Sequence, residues 1–166
     1  MADLKLSYPA ASDLTITLAS LASDTSLLTG RESATIDNSS NLYLDYLISG
    51  KITAGTSPTA SRSIEVWAVG SWDGTNWPDV FDGTDSAETI TSADIKASVC
   101  RFVAAMATAN TSDRTYHFGP VSIAAAFGGT LPPKFVLFVT HSTGVALNST
   151  AGNHQIRIQP VFQTVN

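Results

Sequence analysis

One stretch, from Ser61 to Asp79, constrains the fold of this chain more than any other. Ile64, Val66 and Ala68 fall on one side of an extended chain, and the residues between them fall on the other. This period of two, in β-branched and aromatic residues, favours a β-strand. Because both sides are largely apolar, we expect the strand to lie centrally in a sheet and to be covered on both faces.

A tight turn flanked by tryptophans follows this strand. Asp73-Gly74 supplies the positive φ angle that such a turn needs, because glycine lacks the Cβ that forbids it. Pro78 has no backbone N–H and therefore ends any ladder pairing. We predict that Trp72–Trp77 forms a turn at the rim of a sheet, and nothing in it indicates catalysis.

Alternation of the same kind recurs along the chain, with turn-forming residues between the segments. About eight strands at this spacing, with at most one short helix, predict an all-β protein, an antiparallel β-sandwich. A jelly roll of two four-stranded sheets is the first choice, and an immunoglobulin-like sandwich is the second. The predicted strands are Asp13–Leu18, Ser33–Ile36, Leu42–Ile52, Ile64–Val69, Val99–Ala109, Arg114–Phe118 with its continuation Val121–Phe127, Phe135–His141 and His154–Phe162.

Local features refine this prediction. Phe135–His141 is the most apolar segment, so we expect it to be central in its sheet, and we expect Val99–Ala109 to run through the core. Pro160 indicates an edge strand or a bulge near the end of the chain. Ser92 is a candidate N-cap for a short helix within Thr91–Ala97, because its hydroxyl can accept a backbone N–H of the first turn.

The 166 residues suffice for one domain with a sizeable core. No internal linker or fixed-period repeat stands out, so we assign residues 14–166 to a single β-sandwich domain. Residues 1–13 have little pattern, and the position of Tyr8 before Pro9 favours an extended conformation. We predict that they form an N-terminal arm that orders only against a neighbour.

Composition is compatible with docking and argues against nucleic-acid binding. Only 14% of the residues are charged, so a surface of hydroxyls and small side chains costs little to desolvate against other subunits, although a monomer with a polar serine and threonine surface fits the composition equally well. The net charge is −5 and the basic residues are scattered singly, so we expect no nucleic-acid partner. We find no leader pattern and no apolar run of membrane-spanning length, and Cys100 alone cannot form an intrachain disulfide. These features predict folding in a cytoplasm, without export or membrane association.

The sequence lacks the common patterns that carry chemistry. It contains no G-x-S-x-G, P-loop or G-x-G-x-x-G motif, and His117, His141 and His154 are not at the spacings of zinc ligands. We therefore predict no enzymatic activity, no cofactor and no metal. The acidic segment Asp79–Glu88 is the best ion candidate, because its aspartates could supply oxygens to calcium. Its spacing does not match an EF-hand loop, and a solvated turn is the favoured interpretation.

Three tryptophans offer candidate contact surfaces. Trp67 lies in the predicted strand, whereas Trp72 and Trp77 flank the turn. We rank packing in the core and across the turn first, a subunit interface second and a platform for sugar rings third. The candidate interface residues are Leu4, Leu6 and Tyr8 of the arm, together with Trp72 and Trp77.

A set of turn and strand motifs spans the chain from about residue 25 to residue 163. The motifs are Thr29–Ser33, Ile36–Asn38, Gly55–Pro58, Ile64–Trp67, Asp73–Asp79 and Gly144–Leu147. In these motifs the chain resembles small structural proteins of tailed-phage virions, and among them most of all the capsid decoration (cement) proteins.

This resemblance implies a β-sandwich virion protein without enzymatic activity. It also implies a place on the outer capsid surface, bound to the major capsid protein, and a homo-oligomer, with a trimer favoured. Such a protein is made in the host cytoplasm, where phage heads assemble. Two alternatives stay open: a structural component of the tail or baseplate, and a carbohydrate-binding module whose tryptophans contact glycans.

Overall fold

The computed structural model describes residues 3–165, so Met1 and Ala2 of the predicted arm, and Asn166, lie outside the described residues. Residues 3–165 form eleven strands, two short α-helices and one 3-10 turn, and none of their helices has the length and apolar character needed to cross a bilayer. The elements are β1 (Leu4–Ser7), β2 (Ser12–Asp13), β3 (Thr29–Glu32), β4 (Ile36–Asp37), β5 (Asp45–Thr53), β6 (Arg62–Ser71), β7 (Ala87–Thr89), α1 (Ala93–Val99), β8 (Cys100–Thr108), β9 (Thr115–Ser122), α2 (Ile123–Ala126), β10 (Lys134–His141), the 3-10 turn (Ala151–Asn153) and β11 (Gln155–Val165).

The strands form two antiparallel sheets, which confirms the predicted all-β sandwich. One sheet has the order β1-β11-β5-β9, with β2 also pairing with β11. The other has the order β7-β3-β10-β6-β8, with β4 also pairing with β10. Eight of the described strands have four or more residues, and the first four of these pair with the last four in reverse order. This is one long hairpin wrapped into two four-stranded sheets, the arrangement of a jelly roll.

The principal core lies between the sheets, and β6 contributes its alternate residues to it. Ile64, Val66 and Ala68 are fully buried there, as the period-two pattern predicts. β6 lies between β10 and β8, and its other face is covered as well, so the prediction of a central, doubly covered strand is confirmed. That other face packs into a second cluster, the outer core, formed by Val69, Phe81, Ile90, Cys100, Val136 and Phe138.

Two further local predictions are confirmed. Phe135–His141 is buried throughout, and β10, which contains it, lies between β3 and β6. Helix α1 begins after Ser92, whose Oγ accepts the backbone N–H of Ile95 at 3.2 Å. Ile95 and Val99 of this helix pack against the outer core, so α1 covers the sheet from outside.

The first predicted strand, Asp13–Leu18, is wrong beyond its first residue. The rest of the segment crosses from one sheet to the other instead of joining a ladder. The N–H of Leu14 donates to the carbonyl of Ile156 at 2.8 Å, and the carbonyl of Thr15 accepts the N–H of Ala34 at 2.9 Å. The apolar residues of the segment therefore close the side of the core rather than one face of a sheet.

Side-chain hydrogen bonds displace two other predicted strands. Ser33 separates β3 from β4, because its hydroxyl accepts the N–H of Leu137 at 2.9 Å in place of a backbone carbonyl. The strand predicted to begin at Leu42 begins three residues later. The Asn38 side chain bonds both the N–H and the carbonyl of Tyr43, at 2.8 and 3.1 Å, and this holds the chain in a loop before β5.

The predicted strand Val99–Ala109 is confirmed as β8, but only some of its residues reach the principal core. Within the described residues β8 pairs only with β6, so it is an edge strand. Val103 and Met106 reach the principal core, but Phe102 is exposed and lies 5.3 Å from the Trp67 ring, edge to face. The apolar residues of β8 therefore lie on both of its faces, one toward the principal core and the other on the outside of the sheet.

The second half of the Val121–Phe127 prediction forms helix α2 instead of a strand. Ser122 ends β9, and its Oγ accepts the N–H of Ala125 at 3.0 Å as an N-cap. Asp45 Oδ1, from β5, accepts the N–H of Ala124 at 2.7 Å. These two hydrogen bonds satisfy backbone N–H groups in the first turn of the helix, which have no partner within the helix itself.

Two prolines lie inside strands, at positions where we predicted an interruption (Pro120) and an edge strand or a bulge (Pro160). β9 continues through Gly119-Pro120, opposite a register shift in β5. Pro160 lies in β11, an inner strand rather than an edge, and is paired with Tyr46. β11 pairs with β2 before Pro160 and with β1 after it, so this residue faces the gap between two ladders.

Candidate functional site

The two ends of the described chain form a two-stranded ribbon at one edge of the jelly roll. β1 pairs with the end of β11, from Leu4 opposite Val165 to Ser7 opposite Phe162. The pairing of β11 with β5 stops at Val161, so among residues 3–165 these last four residues have β1 as their sole ladder partner. The predicted arm thus orders against its own chain. We call the two paired segments the terminal ribbon.

One face of the terminal ribbon is apolar and open to solvent. Residues directly opposite each other share a face, so Leu4 and Val165 lie together, with Leu6 next along the strand. Their exposed fractions are 61%, 68% and 53% for Leu4, Val165 and Leu6. Tyr8, just beyond the ribbon, is exposed too. The predicted interface residues of the arm therefore lie at one surface.

The opposite face of the terminal ribbon is packed on the body of the protein at its Phe162 end, while Lys5 on the same face is exposed. The Phe162 ring lies 5.5 Å from the Tyr43 ring, which in turn lies 5.6 Å from Tyr46. The arm after β1 is held by Gln159 Nε2, which donates to the carbonyl of Pro9 at 2.8 Å. The apolar face is therefore presented by an anchored structure.

Asp73 organises the tryptophan-flanked turn. Its Oδ1 accepts the N–H groups of Thr75 and Asn76 at 2.9 and 2.7 Å, and its Oδ2 accepts Asn76 Nδ2 at 2.6 Å. Hydrogen bonds from Asn76 and then Thr75 hold the pKa of the Asp73 carboxyl well below its usual range. The turn is therefore held in one shape by an ionised side chain.

A cleft of about 580 Å³ opens beside this turn, and we call it the tryptophan cleft. Trp72 and Trp77 both line it, with Phe127 from the end of α2. Trp72 is 60% exposed and lies edge to face with Phe127, with ring centres 5.8 Å apart. Trp77 is half-buried and also packs against the outer core. Trp77 thus packs on the outer core, while Trp72 packs on Phe127 and leaves most of its surface exposed.

Arg101, Trp72 and Trp77 bring to the tryptophan cleft hydrogen-bond donors that lack an acceptor in the described part of the chain, whereas Asp73 and Asn76 of its lining bond to each other. Arg101 Nη1 donates to the carbonyls of Ser98 and Cys100 at 2.9 and 3.3 Å, while its other nitrogens form no hydrogen bond within residues 3–165. No carboxylate in that range forms a salt bridge with this guanidinium. The indole N–H groups of Trp72 and Trp77 also have no hydrogen-bond acceptor among the described residues. All three donors belong to residues that line the cleft.

A continuous series of aromatic contacts joins the two surfaces. Consecutive ring centres in the series are 5.5 to 6.3 Å apart. The terminal ribbon and the tryptophan cleft therefore lie on one packed aromatic framework. The series runs Phe162, Tyr43, Tyr46, Phe135, Phe127, Trp72.

The aspartates of the acidic segment Asp79–Glu88 turn to separate partners. Their partners are Thr91 for Asp79, Thr84 for Asp82, and Arg31 with Thr17 for Asp85. The described part of the chain holds no group of three or more His, Cys, Asp or Glu side chains arranged for a metal ion. The segment acts instead as a set of loop clamps, one of which is the Arg31–Asp85 ion pair, at 2.6 Å.

Glu32 is a titratable residue that sequence reasoning missed. It is fully buried, and its Oε1 accepts the N–H of Gly83 at 2.7 Å while Oε2 accepts that of Asp82 at 3.3 Å. Burial raises the pKa of its carboxyl to about 7. The signal in the sequence was weak, because the alternation around Thr29–Glu32 covers only four residues.

His141, His154 and Cys100 are held inside the fold, whereas His117 is exposed. His141 is fully buried, with Nε2 3.0 Å from the carbonyl oxygen of Leu21, and burial lowers its pKa. His154 is half-buried and lies 2.8 Å from the carbonyl oxygen of Asn148. Burial raises the pKa of the Cys100 thiol to about 12, so it stays protonated near neutral pH. None of these groups lines the tryptophan cleft.

Comparisons of the chain with protein-family models, with curated proteins and with solved structures found no match.

Proposed function

We propose that this chain is a non-catalytic structural protein of a tailed-phage virion, a decoration protein that binds and stabilises the outer capsid shell. The observation that supports this most directly is the terminal ribbon, which holds an apolar face open while its other face is anchored. The sparsely charged surface and the resemblance to decoration proteins favour the same role.

The apolar face of the terminal ribbon is suited to a contact that is weak for one copy of the protein and strong when many copies bind together. Burying the exposed parts of Leu4, Leu6 and Val165 would contribute about 3–5 kcal/mol. Copies that bridge neighbouring capsid subunits add their contacts at high effective concentration. Because such a ligand binds the assembled shell and not its separate subunits, it stabilises the shell by mass action.

The free edge of β1 provides a second element of this contact. Its unpaired backbone groups can add to a strand of a neighbouring protein, while Leu4 and Leu6 supply the side-chain contact. In this proposal the neighbour is the major capsid protein. The oligomer on the shell is a trimer, with one ribbon from each copy.

The test measures co-sedimentation of the full-length protein with purified phage heads. The heads come from the phage that encodes the protein and are prepared without it. Leu4→Ser combined with Leu6→Ser should weaken binding at least about tenfold, because it removes the apolar contact. Lys5→Ser, on the opposite face of the same strand, is the matched control and should bind normally. If a correctly folded double variant binds the heads as tightly as the unmodified protein, the terminal ribbon does not form the capsid contact.

Electron microscopy of virions tests the location. Density on the outer shell would support decoration. Density on the tail or baseplate would contradict decoration and support a structural role in the tail or baseplate. Mass photometry of the purified chain tests the trimer, and a strictly monomeric protein on the shell would contradict that part of the proposal.

A further inference from the structure

The tryptophan cleft has the size and rigidity of a ligand site. Its volume of about 580 Å³ lies within the range of roughly 300–1,000 Å³ that small-molecule sites occupy. Asp73 clamps one wall with hydrogen bonds to Thr75 and Asn76, and Phe127 fixes the Trp72 indole from the side. A ligand would therefore meet walls that are already ordered, and little conformational entropy is lost on binding.

The aromatic wall suits a sugar ring. The face of an indole is electron-rich, and the C–H groups on one side of a pyranose ring carry partial positive charge, so the two surfaces attract each other when stacked. Trp72 is largely exposed and Trp77 lines the same cleft. Their indole N–H groups and Asn76 Oδ1 supply two donors and one acceptor for ring hydroxyls.

The guanidinium of Arg101 can bind an anion, because the other charged group of the lining, the Asp73 carboxylate, is already hydrogen-bonded to Thr75 and Asn76. Nη1 is anchored on the carbonyls of Ser98 and Cys100, which leaves Nε and Nη2 for a ligand. These two groups form the planar fork that binds a carboxylate through two parallel hydrogen bonds. Within the described residues Arg101 is the only basic side chain that lines the cleft.

We propose that the tryptophan cleft binds a saccharide that carries a carboxylate, with an oligomer of a hexuronic acid as the representative ligand. The pyranose ring stacks on Trp72, the carboxylate pairs with Arg101, and the hydroxyls take the indole N–H groups and Asn76. This binding activity goes beyond attachment to a capsid and does not require it.

Other ligand classes fit the cleft less well. A phosphoryl group concentrates roughly two negative charges at one point, which a single guanidinium does not neutralise, whereas each unit of a hexuronic acid oligomer carries only one carboxylate. An extended peptide needs backbone groups to pair with, whereas the carbonyls of Ser98 and Cys100 at this wall already accept from Arg101.

The test is calorimetric titration of the full chain with tri-galacturonate and with its methyl ester, in which the carboxylates are masked. The unmodified protein should bind the acid at least about tenfold more tightly than the ester. Trp72→Ala should weaken both ligands, because it removes the stacking surface. Arg101→Gln should weaken only the acid and abolish the preference. Arg62→Gln, outside the cleft, should change neither.

Three outcomes would overturn the proposal. The first is that neither probe binds at about 10 mM. The second is that Trp72→Ala and Arg101→Gln leave the binding unchanged. The third is that a tri-glutamate peptide binds as tightly as tri-galacturonate, which would show recognition of charge alone. Thermal unfolding verifies that each variant is folded. The Leu4→Ser, Leu6→Ser variant should bind tri-galacturonate normally, so failure of capsid binding and failure of saccharide binding are separate results.

Discussion

Lys96 Nζ lies 3.2 Å from Glu65 Oε2 in a nearly buried ion pair that joins α1 to the outer face of β6. The same oxygen accepts the indole N–H of Trp67 at 2.9 Å, and the ammonium lies 4.6 Å from the centre of the Trp67 ring. Lys96 also donates to the carbonyl of Leu27 at 2.7 Å. One cation therefore holds the helix, the strand and the preceding loop together.

Lys96→Met should lower the free energy of unfolding by about 2–3 kcal/mol, because the Glu65 carboxylate loses its cation in a site that little water reaches. Glu65→Gln should cost a similar amount, since it leaves the ammonium without an anion. The double variant should lose less than the sum of the single variants, because neither charge is then left alone. Chemical denaturation measures all three, and additive losses would contradict the coupling.

Glu32 should make the stability depend on pH. Burial raises the pKa of its carboxyl from 4.5 to about 7, although hydrogen bonds from Gly83 and Asp82 favour the ionised form. Between these two values the folded protein holds a proton that the unfolded chain has released. The contribution of Glu32 should therefore be greatest below pH 4.5 and fall as the pH rises to 7, by at most about 3 kcal/mol.

The variant Glu32→Gln should remove this slope, because an amide does not titrate while its carbonyl can still accept the N–H of Gly83. Denaturant midpoints measured across the same pH window provide the readout. Asp94→Asn makes the same change from an acid to its amide at an exposed position, so it should keep the slope. A slope that survives in Glu32→Gln would assign the dependence to another group.

Gly30 lies so close to β10 that no side chain fits. A Cβ at this position would lie 2.7 Å from the Phe138 ring and nearer still to the carbonyl oxygen of Val139. Gly30→Ala should therefore destabilise the protein by about 1–3 kcal/mol. Gly152→Ala meets no atom within 4 Å and should change stability by less than about 0.5 kcal/mol. Equal melting temperatures for the two variants would contradict the packing argument.

The sequence was sufficient where the signal is local. Ile64, Val66 and Ala68 alternate with a period that matches the pleat of a strand, so their burial followed from spacing alone. Ser92 caps α1 through a bond to a residue three positions away, which a sequence motif can show. The jelly-roll class followed from the number and spacing of such segments.

Predictions were wrong where a distant residue decides the conformation. The start of α2 is favoured by Asp45, which lies far earlier in the chain and accepts the N–H of Ala124. Ser33 interrupts a ladder because Leu137 bonds its hydroxyl. In Asp13–Leu18 the period of two correctly predicts which residues are buried. The segment is nevertheless not a strand, because it crosses from one sheet to the other.

The sequence by itself determined the all-β class, the central strands and the helix cap, since each depends on residues within a few positions of one another. Only the tertiary structure decided that Leu4 lies opposite Val165, that Glu32 is sealed from water, and that Arg101 reaches the cleft beside Trp72. These arrangements depend on backbone pairings between remote segments, and the position of a side chain in space follows from such pairings rather than from its neighbours in the chain.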